Sequence, residues 1–145
     1  MFKHILFPTE YSEFSEKALE FTLKLVEVYQ SRLSILYVIP DYGIPAVEDF
    51  FPETPKHEDK KEGYEKFKSM IAQKVPSGIE YDIIKISGRP FESVLYAADE
   101  LHNDLIVLAS RDEEGIVHHL LGTNAGKVAK RAKCSVMLFK PEMVV

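Results

Sequence analysis

Leu105-Ile106-Val107-Leu108-Ala109-Ser110-Arg111-Asp112, followed by Leu121-Gly122-Thr123-Asn124, decides how this chain folds. Leu105 to Ala109 is apolar without alternation, the pattern of a strand covered on both faces, as in a parallel sheet. A loop follows, and Gly122 with Thr123 then opens a helix expected from near Thr123 to near Ala132. A helix start offers unpaired N–H groups and the positive end of the macrodipole, and so seats anions. The loop before it carries Asp112, Glu113 and Glu114, where a phosphate cradle favours glycine.

Working outward, strands and helices alternate. His4 to Pro8 reads as the first strand. Ser12 reads as an N-cap with Glu13 and Glu16 in the first turn, where the dipole favours acids. Ala18, Phe21, Leu25 and Val28, with Leu19, Thr22, Val26 and Tyr29 beside them, predict a helix to about Gln30. Leu33 to Ile39 is the second strand. Pro40 to Pro55 then holds four prolines and one glycine. A loop of that length is either a surface excursion or a lid or partner contact made by Tyr42, Phe50 and Phe51.

From His57 to Val75 an amphipathic helix carries Tyr64, Phe67, Ile71 and Val75 on one stripe. Ile79 to Ile86 is the third strand. Pro90 stands at the first position of a third helix that buries Val94, Leu95, Ala98 and Leu101. Val136 to Phe139 is the fifth strand. Five strands alternating with four helices imply βαβ crossovers and a parallel sheet with helices on both faces, a three-layer α/β domain spanning 1–145.

The 145 residues carry a formal net charge of -5, which argues against a nucleic-acid surface. No apolar run approaches the ~20 residues of a membrane span, and the opening residues lack a signal-peptide pattern. The single cysteine, Cys134, excludes an internal disulfide and suits a reducing cytoplasm. Ahead of the last strand, it reads as a small core residue.

In such sheets ligands bind beyond the carboxyl ends of the strands, at the switch in strand order. Pro8-Thr9-Glu10-Tyr11-Ser12, Val38 to Pro40, Ser87 to Arg89, and Ala109 to Asn124 are the candidate segments. Gly122 and Thr123 are either a plain helix cap or a phosphate seat. Glu10 is either a partner for a base, sugar or metal, or a solvated loop acid. Arg111 pairs either a phosphate or the acids at 112–114. Those acids repel a triphosphate unless Mg²⁺ bridges them.

Several chemistries are excluded. Gly122 and Gly126-Lys127 are one residue too close for a P-loop, and Val128 stands where magnesium needs a hydroxyl. No G-x-G-x-x-G follows the first strand. The third strand ends in Ile86-Ser87-Gly88, without the aspartate a phosphoreceiver needs. His118 and His119 are adjacent, so on a helix they diverge by about 100° and chelate poorly. His4, His57 and His102 are scattered. No Ser–His–Asp order or nucleophile elbow appears, so no catalytic residue is assigned, and any metal ligand stays unknown.

In their order, these segments resemble the universal stress protein (UspA-type) family over essentially the whole chain. The resemblance rests on Ile5-Leu6-Phe7-Pro8-Thr9-Glu10-Tyr11-Ser12, Leu36-Tyr37-Val38-Ile39 and Gly88-Arg89-Pro90. It rests most on Asp104 to Ser110 with Leu120-Leu121-Gly122-Thr123, and on Ala132-Lys133-Cys134-Ser135-Val136. It implies a five-stranded parallel sheet in the order 3-2-1-4-5, an adenine-nucleotide α-hydrolase-like fold. It implies a homodimer paired along the last strand, Val136, Met137, Leu138 and Phe139, which covers an open sheet edge. Part of the family binds ATP through G-x-x-G, nine residues, then G-[ST].

Here the two loop glycines fall on Ala109 and Asp112, while Gly122 and Thr123 match. The adenine-side acid falls on Glu10 and an apolar adenine contact on Val38. The resemblance thus implies a stress-response or regulatory protein without catalysis of its own. Its degenerate nucleotide site comprises Pro8, Thr9, Glu10, Val38, Leu108, Ala109, Ser110, Arg111, Asp112, Gly122, Thr123 and Asn124. The ligand is ATP or AMP, held weakly, with Mg²⁺ entering only alongside ATP. The alternative is a dimeric ATP/AMP switch with slow Mg²⁺-dependent hydrolysis.

Overall fold

A computed structural model of the chain describes residues 1–9, 13–41, 57–109 and 118–140, without the side chains of 13–15, 40, 57–62 and 118–124. Five strands form one parallel sheet: β1 (His4–Thr9), β2 (Arg32–Pro40), β3 (Tyr81–Gly88), β4 (Leu105–Ala109) and β5 (Ser135–Phe139). Their order is β3-β2-β1-β4-β5, the order the family resemblance implied. Between them run α1 (Glu13–Tyr29), α2 (His57–Lys74), α3 (Pro90–Glu100) and α4 (His118–Arg131).

Alternate strand residues feed two cores, because successive side chains point to opposite faces. Ile5, Phe7, Leu33, Ile35, Leu105 and Val107 pack with Ala18, Leu19, Leu23 and Val26 of α1 and Phe67 and Ile71 of α2. Leu6, Leu36, Val38 and Ile106 pack on the other face with Val94, Ala97 and Ala98 of α3 and Val128 of α4. Burying one such side chain stabilises by about 1.5–3 kcal/mol, so the unalternating runs of β1, β2 and β4 hold the three layers together.

The stripe on α2 falls as the sequence predicts, with Phe67, Ile71 and Val75 buried. On α1 the prediction fails at Val28, which is 74% exposed. Two residues on from the buried Val26, Val28 is turned by about 200° around the helix and faces away from the sheet, while Tyr29 turns back and packs on Phe2. Gln30 takes a left-handed φ of 56° and stops the helix. The third strand begins at Tyr81, two residues later than expected, because Pro76 to Ile79 is occupied by a turn that closes with Ile79 N donating to Pro76 O at 3.3 Å.

Helix α4 also departs from expectation. It begins at His118 instead of near Thr123. Gly122 therefore lies in its second turn, where its N–H is within reach of the carbonyl four residues back. A lone glycine inside a helix costs only about 1 kcal/mol against alanine, so nothing in His-His-Leu-Leu stops the helix from extending upstream.

Candidate functional site

The central feature is where β1 and β4 part. Their register pairs are Ile5 with Leu105 and Leu6 with Ile106. Beyond these, β1 stays paired to β2 as far as Thr9 with Tyr37, and β4 stays paired to β5 as far as Ala109 with Phe139. Phe7–Thr9 and Val107–Ala109 thus line opposite walls of a split at the carboxyl end of the sheet. This is the switch point, where the crossovers leave on opposite sides and ligands enter α/β sheets.

The predicted residues distribute around that split as follows. Pro8 and Thr9 end β1, with Pro8 half-buried and Thr9 only 6% exposed. Leu108 and Ala109 end β4 and are half-buried. Val38, 4% exposed, lies near the end of β2 on the face covered by α3 and α4. Gly122, Thr123 and Asn124 belong to the second turn of α4, not to its first. Glu10, Ser110, Arg111 and Asp112 lie outside the described residues, as does most of the Pro40 to Pro55 loop with Tyr42, Phe50 and Phe51.

The turn that follows β3 borders the same end of the sheet. Asp41 N donates to Gly88 O at 3.0 Å and Ser93 N to Arg89 O at 2.9 Å. A Cβ on Gly88 would meet Ser93 Oγ at 3.0 Å, so only glycine fits without displacing a buried serine. Arg89 takes extended dihedrals at the N-cap of α3, with Pro90 as its first helical residue. The Arg89 side chain is exposed and lies 4.0 Å from Glu92, a loose surface pair.

Among the described residues, the opposite, amino-terminal edge holds most of the part-buried side-chain hydrogen bonds. Asp104 accepts from Lys3 N at 2.8 Å and His4 N at 3.0 Å. Asn103 Nδ2 donates to His4 O at 3.4 Å, while Asn103 Oδ1 has no partner among the described residues. The His4 ring contacts Leu101 O through Nδ1 and Ser34 Oγ through Nε2, and Ser34 in turn donates to Asp82. Sequence reading set His4 aside as scattered and gave Ser34, Asp82 and Asn103 no role. The available signal was Ser34 itself, a polar residue in an apolar strand that has to find a partner when buried.

Cys134 is half-buried at this same edge, and a hollow of about 280 Å³ is lined by Ala98, Asp99, His102, Asn103, Lys133 and Cys134. Burial pushes the thiol's pKa up, and the Asp104 and Asp99 carboxylates add to it, against the lowering effect of its own backbone N–H. Such a thiol stays protonated and poorly nucleophilic. Among the described residues no group of three or more His, Cys, Asp or Glu is placed to hold a metal ion. No helix among them is long and apolar enough to cross a membrane.

Comparison with known proteins agrees with this architecture. Residues 1–140 match the model of the universal stress protein family. Universal stress protein YxiE of Bacillus subtilis is 29% identical over 148 aligned residues, covering 97% of this chain and 100% of that protein. The solved structure of MJ0577, a universal stress protein of Methanocaldococcus jannaschii, superposes with a TM-score of 0.75 at 27% identity, covering 97% of this chain and 96% of that one. A universal stress protein solved in complex with cAMP gives a TM-score of 0.68 at 21% identity, covering 95% and 97%. At that identity the last likeness speaks for the fold alone.

Proposed function

This chain belongs to the universal stress protein family, and we propose that it works as a cytoplasmic stress-response regulator whose cleft takes an adenine mononucleotide better than ATP. The observation that carries this reading is the split between β1 and β4, with Thr9 and Ala109 at its mouth. Thr9 and Leu108 would border the sugar, Val38 and Glu10 the base. Ser110, Arg111 and the Gly122 to Asn124 turn of α4 would border a phosphate. A relative of the same fold takes cAMP, a ligand with one phosphate.

Asp112 separates a monophosphate from a triphosphate. It stands where the family's ATP-binding pattern has its second loop glycine, adding a side chain and a negative charge. Glu113 and Glu114 extend that charge. Each further phosphate brings more negative charge toward them, so the penalty grows with phosphate number. A single phosphate beside Arg111 escapes most of it. No residue of the chain is assigned a catalytic role, and the whole chain acts as one domain that pairs with a second copy along β5.

Isothermal titration calorimetry of nucleotide-stripped protein with AMP and ATP, each with and without Mg²⁺, tests the reading. The expected result is AMP heat indifferent to Mg²⁺, with ATP weaker. ATP binding that is tighter than AMP and dependent on Mg²⁺ would overturn it in favour of a metal-bridged switch.

A further inference from the structure

His4, Ser34 and Asp82 belong to three neighbouring strands and share the sheet face covered by α3 and α4. Their hydrogen bonds fix a proton count. Leu101 O, 3.2 Å from Nδ1, only accepts, so Nδ1 carries a proton. Ser34 has one hydroxyl proton, and it is directed to Asp82 Oδ1 at 2.8 Å. At its 2.7 Å contact with His4 Nε2 the serine oxygen therefore accepts, so Nε2 carries a proton as well. All three bonds exist together only with one proton beyond those of a neutral imidazole and a carboxylate. Placing that proton on Asp82 and reversing both serine bonds leaves the count the same.

Without it one of the three contacts loses its hydrogen, and Asp82, the exposed member, is the one able to leave, with Nδ1–H kept on Leu101 O and the Ser34 hydroxyl turned to Nε2. Two oxygen atoms, Ser34 Oγ and Asp82 Oδ1, would then face each other at 2.8 Å with no proton between them. That contact opens. Ser34 is fully buried and cannot turn to water instead, whereas Asp82 is exposed and can swing away. We propose that His4, Ser34 and Asp82 form a proton-linked latch across β1, β2 and β3, closed with the proton bound and open without it.

The other charged groups at this edge fit a cation in the latch. Asp104, ahead of β4, places both carboxylate oxygens on the backbone N–H groups of Lys3 and His4. Arg32 of β2, the register neighbour of His4, is paired with Glu80 at 3.5 Å. On the α3 side, Asp99 is paired with Lys133 at 3.6 Å, and His102 is exposed in the left-handed turn after the helix. The lysine at position 3 is exposed. Among these described groups, Asp82 is the carboxylate that answers to the His4 ring through a hydroxyl.

Long-range ¹H–¹⁵N correlation spectra of the full-length protein, recorded from about pH 5 to 9, read the ring directly. Both His4 nitrogens should be protonated at the acid end. On losing one proton the ring should become the Nδ1–H tautomer, and the Asp82 carboxyl carbon should shift at the same midpoint. In Ser34→Ala the Asp82 carbon should no longer follow His4. A neutral Nε2–H tautomer, or an Asp82 signal that ignores His4 in the unaltered protein, would overturn the latch.

Discussion

Phe21 of α1 and Phe139 of β5 stack nearly parallel, with ring centroids 4.6 Å apart and planes inclined by 15°. The contact ties the first helix to the last strand and seals one face of β5. Met137 packs on the same face, against the core that α1 and α2 cover. The other face is less complete. Val136 is half-buried there, and Leu138 remains 44% exposed. β5 is also the end of the sheet, with β4 as its one strand neighbour. An exposed leucine beside an open strand edge is a natural seat for a second copy.

Phe139→Ala should therefore be costly. Phe139 is 9% exposed, and truncation removes both its buried area and the ring contact. Core phenylalanines lose about 3–5 kcal/mol on such a change, and a site at the sheet margin should fall near the lower end. Urea unfolding monitored by circular dichroism gives the number. A loss below about 1 kcal/mol would mean that the stack contributes little.

Leu138→Asp addresses assembly instead of folding. If two copies pair along β5, a carboxylate on the exposed face of that strand brings like charges together across the two-fold axis. The unaltered protein should sediment as a dimer, and Leu138→Asp as a monomer with the same circular dichroism spectrum. A monomeric unaltered protein would remove β5 pairing from the proposed function.

At the amino-terminal edge, Asp104 holds the N–H groups of Lys3 and His4. Asp104→Ala should cost about 2 kcal/mol, because hydrogen bonds to a charged acceptor contribute about 1.5–3 kcal/mol and the His4 N–H is partly buried. Asp104→Asn, which keeps one acceptor oxygen, should recover part of it. The difference between the two variants in urea midpoint is the measurement.

Legibility in the sequence followed how local each signal was. Leu105–Ala109 is a strand to the residue, because five apolar residues between Asp104 and Ser110 leave no other reading. Phe67, Ile71 and Val75 gave the α2 stripe, since spacing alone sets which face is apolar. Val28 misled because a 3, 4, 3 spacing from Ala18 drifts around the helix, and by Val28 it has left the face that Ala18 and Val26 bury. Gly122 and Thr123 read as a helix start, yet the helix runs through them. The β1–β4 split could be placed only through the strand order that the family resemblance implied. The row of His4, Ser34 and Asp82 was illegible. Its members are 30 and 48 positions apart, and register across three strands brings them together.

Cys134 sets a limit at high pH. Its thiol titrates above its ordinary value of 9.0 in the folded chain, chiefly because burial disfavours the thiolate. The folded state therefore holds this proton more tightly than the unfolded one. Its contribution to stability is fully present below the unfolded value and is lost as pH rises through the folded one. Thermal unfolding midpoints should fall above about pH 9, and the fall should be smaller in Cys134→Ala. Alkylation by iodoacetamide near neutral pH should be slow until denaturant is added, since the thiolate is the nucleophile.

The nucleotide preference rests on Asp112, and Asp112→Gly inverts it. Glycine restores the side-chain-free position of the family's ATP-binding pattern and removes the charge nearest a second and third phosphate. ATP affinity should rise at least about tenfold, or ~1.4 kcal/mol, while AMP affinity changes much less. Asp112→Asn separates the two causes. It keeps the bulk and removes the charge, so a gain equal to that of glycine assigns the effect to repulsion. A gain seen only with glycine assigns it to backbone approach. If Asp112→Gly instead loses ATP affinity in the presence of Mg²⁺, the carboxylate holds a metal and the mononucleotide reading fails. Calorimetry with and without Mg²⁺ on the three proteins distinguishes these outcomes in one series.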